Sequence, residues 1–80
     1  MIVWPDDRVL SATARDNIAR FRATAGAKGL ETDTFQWTFQ SWARMPDPPY
    51  RMILVSDGGE QATITIEENG LWNCSRQPLR

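Results

Sequence analysis

The feature that most constrains this chain is a pair of turn signals in its C-terminal half, "YRMILVSDGGEQATITIEENGLWNCS", residues 50–75. "YRMILVS" and "QATITIE" are runs rich in strand formers, separated by the hairpin signal "DGGE". "TITIE" then meets "LWNCS" across Asn69-Gly70, the pair best suited to a type I′ turn. The spacing predicts three antiparallel strands near residues 50–56, 61–67 and 71–75.

Upstream, "SATARDNIARFRATAG" repeats apolar residues with a helical period. Ala14, Ile18, Phe21 and Ala25 fall on one face, and Leu10 lies on the same stripe. Ser11 suits the N-cap, with Asp6 or Asp7 as the cap of a longer version. Val9 points off the stripe in that longer helix, which favours the later start. Gly26 suits the position just past the helix end, with Lys28 beyond it.

Between helix and meander, "TFQWTFQSW" (34–42) crowds two Phe and two Trp into nine positions. A helix capped by Asp33 would strand Trp37 opposite Phe35, Phe39 and Trp42. A strand places Phe35, Trp37 and Phe39 on one face, and the strand is the better reading of 34–45. "MPDPPY" follows as a loop, because its three prolines cannot sit inside a ladder. The expected fold is α+β and two-layered, with one N-terminal helix on one face of an antiparallel β-meander of three to four strands.

Strand parity then sorts the side chains. With an even, two-residue loop at each turn, Ile53, Val55, Ala62, Ile64, Ile66 and Leu71 share the face that meets Leu10, Ala14, Ile18 and Phe21. Phe35, Trp37 and Phe39 extend this floor. Met52, Leu54, Thr63, Thr65, Trp72 and Cys74, joined by Trp42, fall on the other face. A three-residue loop at "DGGE" would invert the assignment across that turn. One helix cannot cover both faces, so the second stands open unless "MIVW" or the C-terminal tail folds over it.

Eighty residues fit one small domain, residues 1–80, near the lower limit for a core without staples. Only 16 residues are Leu, Ile, Val or Phe, but four tryptophans, each burying on the order of 200 Å², enlarge the core. The net charge of −1 argues against a general nucleic-acid or membrane binder, which carries a large basic excess. Charge is uneven along the chain: Arg8, Arg15, Arg20, Arg22 and Lys28 stand against Asp16 alone, whereas Asp57, Glu60, Glu67 and Glu68 form a stretch without bases. Asp16 and Arg20 are spaced to pair on the helix. The lone Cys74 allows no internal disulfide, and "MIVWPDD" lacks the pattern of a signal peptide, so a cytoplasmic protein is expected.

The chain has no histidine and one cysteine. That removes the commonest general base and any ordinary zinc site, and no cofactor or metal is expected. Adjacent Glu67 and Glu68 point to opposite faces of a strand and cannot work as a pair. "SDGGEQ" reads as a turn and not as a phosphate loop. Neither catalytic nor cofactor-binding residues emerge, and the expectation is that the protein is not an enzyme.

Trp and Arg dominate interface hot spots. Trp42, Met52, Leu54 and Trp72 are therefore the expected partner-binding anchors on the open face, with Arg15 and Arg22 on the helix, or the acidic hairpin, supplying charge. The partner is expected to be another protein or a protein complex. Alternatives are a homodimer through the same face and, with less support, a single-stranded nucleic acid stacked on the strand rings. In size and build the chain is similar to the small inhibitors carried by phages and other mobile elements, anti-CRISPR proteins among them. That similarity implies a mode of action: covering a functional surface of a larger machine.

Overall fold

A computed structural model describes residues 1–45 and 47–79. Its strands are β1 (Ile2–Val3), β2 (Trp37–Arg44), β3 (Tyr50–Ser56), β4 (Glu60–Ile66) and β5 (Trp72–Pro78). They form one sheet in the order β1-β2-β3-β4-β5. β1 runs parallel to β2 and every other pairing is antiparallel. Two helices, α1 (Ala12–Arg22) and α2 (Ala25–Glu31), contribute to one core with the sheet. The α+β two-layer expectation therefore holds, with one more helix and one more strand than its upper count.

Serine 11 caps α1 as the sequence suggests, its Oγ accepting the Ala14 N–H at 3.1 Å. Asp6 caps a separate single turn of 3-10 helix, Asp7–Val9. Ala14, Ile18 and Phe21 are buried, as their spacing requires. The end of the helix differs. Thr24, not Gly26, breaks it: the Thr24 hydroxyl donates to the Phe21 carbonyl at 2.6 Å and accepts the Ala27 N–H at 3.2 Å. One side chain thus closes α1 and caps α2, which buries Ala27 and Leu30.

The strand reading of 34–45 is correct in kind, with the ladder confined to 37–44. Residue 46 of the "MPDPPY" loop lies outside the described residues. Phe35 precedes the strand and is exposed, its ring resting against Gly58 of the β3–β4 turn, where a Cβ would come within 2.6 Å of it.

Both hairpin loops have three residues, and this inverts the expected faces. Leu54 pairs with Ala62 and Val55 with Gln61, which leaves 57–59 as the β3–β4 loop. Ile66 pairs with Trp72, leaving 68–70 as the β4–β5 loop. Each loop ends on a left-handed glycine, Gly59 at φ 84° and Gly70 at φ 89°. That is the three-residue pattern of a turn plus bulge, in place of a two-residue type I′ turn. The Ser56 hydroxyl fixes the first loop by accepting the Gly58 and Glu60 N–H groups at 3.2 and 3.1 Å.

The face beneath the helices consequently holds Met52, Leu54, Ala62, Ile64 and Ile66, all buried, with Trp72 half-buried. Leu71, expected in the floor, is 66% exposed in the turn. β2 departs from regular pairing between Phe39 and Ser41 and again between Trp42 and Arg44. The first irregularity shifts parity, so Trp42 joins Trp37 and Phe39 under the helices instead of lying across the sheet from them.

Five rings run through this layer. Trp42 meets Phe39 with centroids 5.8 Å apart, Phe39 meets Trp4 at 6.2 Å, Trp4 meets Phe21 at 6.2 Å, and Phe21 meets Trp72 at 5.9 Å. "MIVW" supplies the middle member. β1 pairs with β2, placing Ile2 beside Trp37, and the Trp37 N–H donates to the Met1 carbonyl at 2.8 Å. The segment does seal a sheet face, but from within the sheet and on the helix side.

Gly59 carries a cost that its surroundings do not share, because a Cβ there meets nothing within 4 Å. Gly59→Ala is expected to cost about 1–2 kcal/mol, the penalty of a side chain in the left-handed region. A urea titration should show a lower midpoint with an unchanged slope.

Candidate partner-binding surfaces

The six expected contact residues separate into two groups. Met52 and Leu54 have no accessible surface and can offer none to a partner in this fold. Trp42 and Trp72 are half-buried members of the ring layer that packs on the core. Their assignment as open-face anchors is corrected, for Trp72 by the three-residue loops and for Trp42 by the first irregularity in β2.

Arg15 and Arg22 do stand at the surface. Together they line a cavity of about 170 Å³ between α1 and the N-terminal arm, with Trp4, Pro5, Leu10 and Ile18 as its apolar walls. Asp7 lines it too. Among the described residues neither arginine has an ion pair, whereas Arg8 is bound to Asp6 at 2.7 Å and Arg20 to Asp16 at 3.2 Å, the i, i+4 pair that the helix spacing suggests.

Among the described residues no helix packs on the face opposite α1 and α2. Its centre is uncharged and β-branched: Ile53 and Val55 of β3 with Thr63 and Thr65 of β4, all half-buried. Thr38 sits opposite Val55, Ser41 opposite Ile53, Ser75 opposite Thr63 and Asn73 opposite Thr65. Val3 flanks this surface beside Thr38 and is exposed. At one end of the face Arg44 of β2 stands directly opposite Arg51 of β3. Both are exposed, and neither has an ion pair among the described residues. Sequence reasoning missed this juxtaposition. Only the second irregularity in β2, which makes Ala43 an extra residue, brings Arg44 into register with Arg51.

One polar cluster closes the far end of the core. The Trp37 indole N–H donates to Asp33 at 3.3 Å, and Asp33 also accepts the Phe35 N–H and the Thr34 hydroxyl, each at 3.4 Å. Arg76 sits 3.5 Å from Asp33 and 2.8 Å from Glu60, with its guanidinium 5.1 Å from the Trp37 ring centroid. The indole hydrogen bond, chiefly, holds the Asp33 carboxyl below its ordinary value. Partial burial opposes that shift, and the Phe35 and Thr34 backbone and the Arg76 charge add to it.

A carboxylate whose folded pKa is depressed stabilises the fold above its unfolded value and loses that contribution as pH falls through the folded one. Stability is therefore expected to drop as pH falls below about 4. Asp33→Asn should lower the urea midpoint at neutral pH and flatten its fall in acid; an unchanged acid slope would remove Asp33 from this role.

Cys74 lies on β5 at the edge of the sheet and is exposed. Partial burial of the thiol raises its pKa, with the nearby Arg76 charge pulling the other way. Such a thiol is a poor nucleophile at neutral pH. Among the described residues, no three His, Cys, Asp or Glu side chains gather to hold a metal, and no helix is long and apolar enough to cross a membrane. Comparison with protein-family models, with curated proteins and with solved structures finds no match to this chain.

Proposed function

We propose that the protein is a non-enzymatic binding module that acts by covering a surface of a larger protein or complex. The observation that carries this reading is the sheet face without a helix: a row of Ile53, Val55, Thr63 and Thr65, half-buried and uncharged, in a sheet whose other face takes both helices. Surfaces with an apolar, weakly charged centre and a polar rim are typical of protein interfaces. The similarity in size and build to phage-borne inhibitors, anti-CRISPR proteins among them, fits the same mode of action by analogy alone. A single-stranded nucleic acid is the weaker partner, because the rings that would stack on bases are packed under the helices.

Val55→Arg tests the reading without touching the core. In nuclease-treated pull-downs from a lysate of the source or its host, wild-type protein should retain a protein partner. Val55→Arg should lose it, with affinity reduced about 30-fold or more, while keeping a native far-UV spectrum. A partner held equally by both proteins would move the interface elsewhere. An empty wild-type lane together with a doubled mass in light scattering would make the face a homodimer contact.

A further inference from the structure

The open face carries its own indication of what covers it. Like charges directly opposite each other on neighbouring strands are destabilising, yet β2 and β3 set Arg44 against Arg51 on this face. Three other arginines are bound within the fold: Arg8 to Asp6, Arg20 to Asp16, and Arg76 to Asp33 and Glu60. Among the described residues no carboxylate pairs with Arg44 or Arg51, and the strand positions of the open face carry none; Glu67, just past the end of β4, is the nearest acid along that face and forms no ion pair with either. Their neighbours across the sheet are Thr65 on β4 and then Asn73 on β5. Two guanidinium forks on adjacent strands, beside an uncharged apolar row, make a receptor for a carboxylate held on an otherwise apolar surface.

We infer that the partner which covers the open face presents an Asp or Glu side chain to the Arg44–Arg51 pair. This inference rests on the reading of the face as a protein-binding surface and adds the chemistry of the partner. A second copy of this chain is a poor occupant by the same logic. Docked face to face it brings another arginine pair and no acid from its strand positions, so it offers nothing to neutralise either pair. A phosphodiester chain is poorly matched as well, since two cations beside Ile53 and Val55 do not form a basic track.

The test has two arms, and neither needs the partner's identity. In the free protein, Arg44→Gln and Arg51→Gln should each raise the urea midpoint at low salt, with the gain vanishing at high salt, because each removes an uncompensated like-charge contact. Lower midpoints in both variants would make the pair structural and overturn the inference.

The second arm titrates isotope-labelled protein with acetyl-Val-Glu-Val-Glu-Val-amide and with its Gln-for-Glu twin, followed by NMR. The acidic peptide should shift the Arg44 and Arg51 side-chain N–H signals and the Ile53 and Thr63 amides saturably. The twin and the Arg44→Gln/Arg51→Gln double variant should bind at least tenfold more weakly. Equal binding of the two peptides, shifts confined to Arg15 and Arg22, or the same arginine shifts produced only by oligothymidylate would each overturn it. Because Val55→Arg probes the face independently, loss of partner capture in that variant alone would leave the docking face standing and remove only its acidic complement.

Discussion

Trp37→Ala is expected to leave the protein largely unfolded, or collapsed without fixed packing. Trp37 has no accessible surface and joins four parts of the molecule at once. Its backbone pairs with Ile2 on one side and Ser56 on the other, its indole N–H donates to Asp33, and Arg76 lies over its ring. Truncating a buried Trp costs about 3–5 kcal/mol through lost transfer energy and the cavity left behind. Asp33 and Arg76 lose partners as well.

A chain of this length has about 4–12 kcal/mol to lose, so one substitution can consume its whole stability. Near-UV circular dichroism and a urea titration would read the outcome as a missing tertiary signal and no cooperative transition. Trp37→Phe keeps most of the apolar burial and loses the indole donor, so a loss of about 1–2 kcal/mol is expected. If Trp37→Ala instead unfolds cooperatively near the wild-type midpoint, the core is organised around other residues.

The second large effect concerns two glycines three residues apart in α2. A Cβ built on Gly26 falls within the Trp72 ring, whereas one on Gly29 meets nothing within 4 Å. Alanine is the better helix former by about 1 kcal/mol, and on propensity alone both substitutions should stabilise. Only Gly29→Ala is expected to do so, by about 0.5–1 kcal/mol. Gly26→Ala must push Trp72 off Phe21, and overpacking of this kind costs about 1–3 kcal/mol.

Trp72→Ala should by itself cost about 3 kcal/mol. In that background Gly26→Ala should become neutral or stabilising, since the ring it displaces is gone. This double-mutant cycle is therefore expected to be strongly non-additive. Additive effects would place the Trp72 ring away from α2 in solution and would reopen its candidacy as an exposed contact.

The helix start was legible in the sequence because it depends on local chemistry: Ser11 caps the helix whatever packs above it. The strands were legible for the same reason, β3 to the residue, since β-branched runs bounded by Asp-Gly-Gly and Asn-Gly leave few alternatives. The second helix was hidden because "AGAKGLE" carries two glycines and few apolar residues. Its formation depends on Thr24 acting as a cap and on Ala27 and Leu30 reaching the core. The candidate face was legible as the existence of an open surface but not in its membership. Arg15 and Arg22 were correctly placed outside the core, while nothing local marked Arg44 and Arg51 as opposed.

By itself, then, the sequence determined that a capped helix lies over an antiparallel meander and that this one helix could not cover both faces of the sheet. Which face is covered was decided by tertiary structure. β3 is apolar on both sides, Met52 and Leu54 on one and Ile53 and Val55 on the other, so alternation within the strand says nothing about which side is buried. A two-residue and a three-residue loop differ little in local energy, yet they put opposite sets of side chains under the helices. The three-residue loops, together with the first irregularity in β2, bring Trp42 and Trp72 to the side where Phe39, Trp4 and Phe21 can meet them. Burying that much aromatic surface in one layer outweighs any local preference of the turns, which is why the register could be read only from the assembled core.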